Sequence, residues 1–125
     1  MKKIVNTSNA PAAIGSYSQA TVYNGVIYVS GQLPVDPATG ELSTGNISEQ
    51  THLAMSNLKA IVEAAGSNMG KILKCTILLK DMAHFTEMNE AYANFFTSEP
   101  PARICYQVCA LPKGAIVEID CIAAE

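Results

Sequence analysis

The sequence predicts an α/β fold: a single mixed β-sheet with two helices packed on one face, in the order β-β-β-α-β-α-β-β. Three observations predict it. Short runs rich in β-branched and aromatic residues lie at both ends of the chain, whereas the middle carries two stretches of helical periodicity. Helices that link parallel strands make right-handed crossovers, so two of them tend to cover the same sheet face. At 125 residues the chain reads as one domain, residues 1–125, long enough to bury a core without a metal or disulfide staple.

The elements follow in order. Ile4–Val5 is a short first strand. Ser18–Asn24 and Val26–Ser30 form a hairpin about Asn24–Gly25, a strong turn dipeptide. From Gly31 to Gly45, Pro34, Pro37, Gly40 and Gly45 predict a long surface loop, and loops of that length in small domains are often functional. The first helix runs from Ile47 to Ala65, with Ala54, Met55, Leu58, Ile61, Val62 and Ala65 on one stripe; Asn46 and Glu49 fit its cap and Gly66 its stop. Lys71–Lys80 is a strand with Leu73, Cys75, Ile77 and Leu79 on one face. Asp81 can cap a second helix from Ala83 to Thr97, striped by Phe85, Met88, Tyr92, Phe95 and Phe96 and ended by Pro100–Pro101. Ala102–Leu111 and Ile116–Ala124 are the last strands, separated by Pro112–Lys113–Gly114.

Several of these strands are apolar on both faces. Ile104 and Tyr106 oppose Cys105, and Ile116 and Ile122 oppose Val117, Ile119 and Cys121. Helices cover only one side, so a monomer would leave an apolar face wet. The expectation is a closed homo-oligomer built through its sheets.

Composition narrows the function. A net charge of −3, with 8 Lys+Arg against 11 Asp+Glu, supplies little material for the basic face that a nucleic-acid reader needs. The longest apolar runs fall far short of the roughly 20 residues of a membrane span. Asn6 to Asn9 cut off any leader core after Lys2–Lys3–Ile4–Val5, so neither a signal nor a transit peptide is expected. The cysteines at 75, 105, 109 and 121 have no C-x-x-C spacing, and neither His52 nor His84 completes a zinc pattern. They read as reduced thiols in a cytoplasmic protein. No phosphate-binding glycine motif and no metalloprotease or nucleophile-elbow motif is present, so no metal and no cofactor is predicted.

What remains is a small set of polar residues set into apolar strands. Arg103 opens an otherwise uncharged strand, and a planar guanidinium is the natural clamp for a carboxylate; a surface arginine at a strand start is the plainer alternative. Glu118 lies in Ile116–Val117–Glu118–Ile119, where a carboxylate is paired, edge-exposed or a proton-transfer group. Asp120 shares its face. Ser30–Gly31 closes a buried strand, and Gly31 permits close backbone approach to a ligand or simply a turn. Tyr17 offers a hydroxyl donor or a packed ring. Asn89 falls near the stripe of the second helix, where a structural hydrogen bond is the safer reading.

Taken together, the motifs resemble the RidA (YjgF) family of enamine/imine deaminases over nearly the whole chain. They are Ala13–Ile14–Gly15–Ser16–Tyr17–Ser18–Gln19–Ala20, Val29–Ser30–Gly31–Gln32–Leu33–Pro34, Asn57–Leu58–Lys59–Ala60–Ile61, and the stretch from Pro101–Ala102–Arg103 through Leu111–Pro112–Lys113–Gly114–Ala115 to Val117–Glu118–Ile119. The resemblance implies a chorismate-mutase-like fold assembled as a homotrimer, with clefts between subunits and the last strand lying beside the third. It implies cofactor-free hydrolysis of 2-imino acids such as 2-iminobutanoate and 2-iminopropanoate to 2-keto acids and ammonia. On the matching positions, Arg103 holds the substrate carboxylate, Cys105 gives backbone and thiol contact, Glu118 activates water, and Tyr17, Ser30, Gly31 and Asn89 line the cleft. Ile104 departs from the small polar residue common after the arginine; strand alternation points it away from Arg103 and Cys105.

A covalent role for Cys105 lacks an adjacent base to lower the thiol pKa. A non-catalytic trimer binding or sensing a small carboxylate would use the same arginine clamp. An RNA-cleaving role, attached to some relatives, runs against the acidic balance, and a mutase is suggested by fold similarity alone.

Overall fold

The computed structural model describes all 125 residues. Six strands, β1 (Lys3–Val5), β2 (Ala20–Tyr23), β3 (Val26–Gln32), β4 (Ile72–Leu79), β5 (Ala102–Gln107) and β6 (Val117–Ala124), form one sheet in the order β1-β2-β3-β6-β4-β5. Two helices, α1 (Ile47–Ala64) and α2 (Phe85–Ala93), connect β3 to β4 and β4 to β5. β6 is antiparallel to both β3 and β4, and β4 and β5 run parallel. The last strand therefore fills the gap between β3 and β4 instead of closing a hairpin with β5, as the family resemblance implies.

Local chemistry sets the boundaries. Asn24 and Gly25 both take left-handed backbone, with φ of 50° and 78°, which a two-residue turn between twisted strands demands. The Asn46 side chain accepts from the Glu49 amide at 2.9 Å and starts α1. Gly66, with φ of 88°, ends it. α1 buries Ala54, Met55, Leu58, Ile61 and Val62 completely against Val117, Ile119, Cys121 and Ala123 of β6 and Ile27 and Val29 of β3. Each such aliphatic side chain is worth about 1.5–3 kcal/mol when removed from water. Both helices cover this one face.

Several predicted elements are shorter than expected. Ser18 and Gln19 precede β2, because the Gln19 side chain turns back to hydrogen-bond Thr7, Ala10 and Pro11. Asp81 caps a 3-10 turn at Met82–His84, and α2 proper begins at Phe85. It ends at Ala93, so Phe95 and Phe96 follow in a turn, not on the helix. β5 stops at Gln107, not Leu111. In β4, Leu73 is exposed while Ile72 is buried, the reverse of the predicted alternation. A register shift between Ile72 and Lys74 against β6 causes it: one extra residue flips the side chains before it to the other face.

The second face of the sheet has no helix. It presents Tyr28, Ile104 and Tyr106, each about half exposed, with Leu78 and Ile122 between them. No helix is long and apolar enough to cross a membrane.

Candidate functional site

The register of three adjacent strands fixes where the chemistry points. Arg103 pairs with Cys75, which pairs with Cys121, and both cysteines are buried under the helices. Arg103 thus leaves the sheet on the helix side. Glu118 lies between Val117 and Ile119, both fully buried under α1, so it leaves on the open side, in the row Glu118–Leu78–Tyr106. The two residues expected to work together stand on opposite faces of one sheet.

On the helix side, Arg103 enters a hollow of about 490 Å³ between the end of α2 and the start of β5. Its Nη1 donates to Asn89 Oδ1 at 2.7 Å. The guanidinium carbon lies 4.9 Å from the Tyr92 ring centre and 5.5 Å from that of Phe85. These contacts orient the charge without neutralising it. The chain's one ion pair, Lys3 with Glu125, is elsewhere. Arg103 is therefore a half-buried, immobilised cation with no carboxylate partner. A guanidinium held this way has donors suited to a carboxylate. The Tyr92 hydroxyl is buried without a hydrogen-bond partner beside the Cys75 thiol, and burial pushes its pKa up.

Cys105 shares the Arg103 side of β5 and is half-buried. Burial raises its thiol pKa and the Arg103 charge only partly offsets this. A raised pKa makes this thiol a poorer nucleophile than an activated cysteine.

On the open side, Tyr17, Ser30, Gly31 and Glu118 meet in a hollow of about 510 Å³ that also touches Lys113. Gly31 is there for space. A Cβ at this position would lie 2.7 Å from Glu118 Oε2, so any larger residue would displace the carboxylate. The backbone irregularity between Val29 and Gln32 brings Gly31 onto Glu118. Ser30 Oγ donates to Ser18 O at 2.6 Å and so braces the strand end. Burial, and then the Asp120 charge, raise the Glu118 pKa above the usual carboxylate value. A carboxylate of that kind is a stronger base that can also return a proton.

All seven residues singled out from the sequence thus fall into two groups: Arg103, Asn89 and Cys105 on one side, and Glu118, Tyr17, Ser30 and Gly31 on the other. Sequence reasoning missed the aromatic bed of Arg103, because Phe85 and Tyr92 read equally well as core. The spacing held the signal: Phe85, Asn89 and Tyr92 lie on one helix flank, which is a cradle once an arginine is placed beside it. No group of three or more histidine, cysteine or acidic side chains is arranged to hold a metal.

Comparison with known proteins agrees with this frame. Residues 7–125 match the family model described as Endoribonuclease L-PSP. The chain is 46% identical over 125 residues to a 2-iminobutanoate/2-iminopropanoate deaminase of Bos taurus, spanning 100% of this chain and 91% of the relative. Among solved structures it is similar to the Rid family protein YyfA of Yersinia pestis, with TM-score 0.98, 43% identity and 100% of each chain covered. It is also similar to Escherichia coli TdcF with bound serine, with TM-score 0.95, 41% identity and 98% of each chain covered. Fold, strand order and sequence converge: the chain belongs to the RidA (YjgF) family, whose members include imine deaminases.

Proposed function

We propose that this protein is a cofactor-independent hydrolase of 2-imino acids, releasing 2-keto acids and ammonia, and that it works as a homotrimer with each site built between two protomers. The observation that carries the reading is the Arg103 guanidinium, held by Asn89 and two aromatic rings with no acidic partner. A 2-imino acid brings the missing carboxylate. The serine bound to Escherichia coli TdcF supports an α-carboxylate as the group recognised.

The chemistry asks little of the site. A protonated imine is already electrophilic at its carbon. Arg103 of one protomer fixes the carboxylate and so orients that carbon. Glu118 of the neighbour, ionised, takes a proton from water as the water oxygen adds to the imine carbon. The carbinolamine nitrogen then receives that proton, the C–N bond breaks, and the carboxylate of Glu118 takes the hydroxyl proton as ammonia leaves and the 2-keto acid forms; that last proton passes to the released ammonia or to solvent. Cys105 contributes packing and contact near the carboxylate. Because Arg103 and Glu118 leave opposite faces of the sheet, the apolar open face must be covered by another copy before the two can meet.

Keto-acid release from 2-iminopropanoate and 2-iminobutanoate generated in situ, with semicarbazide competing for the free imine, tests the activity. Release no faster than in protein-free controls sinks it. A non-catalytic binder is separated by Glu118→Gln, which is expected to cut turnover by about 10²–10⁴-fold while sparing 2-keto acid binding. Light scattering at micromolar concentration tests the assembly, and a monomeric mass refutes it.

A further inference from the structure

The Glu118 hollow does not end at Tyr17. A second hollow of about 300 Å³ opens behind it, between the segment around Pro11–Ile14 and the loop after β3. Ile14, Tyr17, Gly31, Leu33 and Lys113 line both, so the two are continuous. Aliphatic and proline side chains make up half of its lining, buried Val35 among them and exposed Pro37 and Ala38 at its outer edge, and Gln19, Gln32, Thr39 and Lys113 add polar groups.

Its walls are pinned from behind by buried polar groups. Gln19, only 2% exposed, hydrogen-bonds Thr7 N at 2.7 Å and Pro11 O at 2.8 Å, fixing the N-terminal wall. Asn57, also 2% exposed, donates from α1 to Leu33 O at 3.1 Å and Val35 O at 2.8 Å, fixing the loop wall. A Val35–Leu42 bridge closes the loop on itself. These bonds hold both walls in place without a ligand, so the hollow is preformed.

We infer that this slot receives the side chain of the substrate, making the protein selective for 2-imino acids with aliphatic side chains longer than methyl or ethyl. The inference rests on the imine-hydrolase reading and extends it to substrate class. The carboxylate end is gripped at Arg103 and the imine carbon sits at Glu118. The alkyl tail then runs past Tyr17 toward Leu33 and buried Val35, with Ala38 at the outer edge of the slot, so that methylenes packed there leave water. Transfer of one methylene is worth about a threefold to fourfold gain in affinity, so the trend is measurable.

The test is a series of 2-imino acids generated in situ by an amino-acid oxidase from alanine, 2-aminobutyrate, norvaline and leucine. For the unaltered protein, kcat/KM is expected to rise about threefold or more per added carbon. Ala38→Phe fills the slot. It should flatten that rise while leaving the alanine-derived substrate within about twofold, and Ala38→Ser should keep the rise. A flat or falling series in the unaltered protein overturns the slot, as does an Ala38→Phe loss equal for all substrates in a protein of unchanged thermal stability. Failure to hydrolyse any member, short ones included, would instead overturn the imine-hydrolase reading.

Discussion

The two faces of the sheet are built on different terms. Under the helices, Val117, Ile119, Cys121 and Ala123 of β6 meet α1 with essentially no exposed surface, and the face is finished within one chain. On the other side the same strand presents Glu118, Asp120 and Ile122, flanked by half-exposed Tyr28, Ile104 and Tyr106. The finished face carries a cation lacking its anion. The unfinished face carries a carboxylate lacking its cation. Stability is thus complete on one side and chemistry is complete on neither. The proposed site, which draws on both, would take its two halves from two copies of the same strand arrangement.

The sharpest test of that contrast is complementation. The Arg103→Ala and Glu118→Gln variants are each expected to lose at least about a hundredfold in kcat/KM, by loss of the proposed clamp and of the proposed base. Mixing the two through unfolding and refolding should restore part of the activity, because some interfaces then pair an intact Arg103 with an intact Glu118. No recovery in verified mixed trimers would place both residues of a working site in one protomer.

Gly31→Ala probes the open face alone. The new methyl must push the Glu118 carboxylate aside, and a displacement near 1 Å costs about a hundredfold in rate. Assay of kcat with calorimetric 2-keto acid binding separates the effects: kcat falls while Arg103-dependent affinity is largely kept.

A smaller effect concerns pH. Burial and then Asp120 raise the Glu118 pKa, so the acid limb of the kcat/KM profile is expected above the ordinary carboxylate value of 4.5. Asp120→Asn removes the second cause and should move the limb down. The sign carries over to stability. A carboxyl whose pKa is raised by folding favours the native state when protonated, and that contribution is lost as pH rises through the native pKa. Glu118→Gln is therefore expected to raise Tm at neutral pH, with the gain vanishing in acid. The smallest effect is expected at Cys105→Ala, less than about tenfold in kcat/KM, since its thiol is held protonated. Complete inactivity of that variant would favour a covalent route.

These contrasts also separate what the sequence makes legible from what only the fold reveals. Helix α1 was legible throughout, because its stripe, its Asn46 cap and its Gly66 stop agree. Strand alternation separated Arg103 and Cys105 from Ile104. The reversal at Leu73 was invisible, since a bulge depends on the partner strand and leaves no mark on its own. The end of α2 was overrun because Phe95 and Phe96 keep an apolar stripe going after the backbone has turned. The placement of β6 between β3 and β4 came from family likeness, not from residue pattern, as β6 is apolar enough to pair on either side. Opposite facing of Arg103 and Glu118 follows only once that placement is known.

That placement has a consequence for synthesis. Until residues 117–124 emerge, the β1–β3 meander and the β4–β5 pair have nothing to join them, and each shows a raw backbone edge toward the gap. The keystone is thus the last of the six strands to be synthesised. A chain that has not yet extended through Val117–Ala124 holds two half-sheets ready to pair with any passing strand, so the integrity of the one sheet rests on a single eight-residue segment.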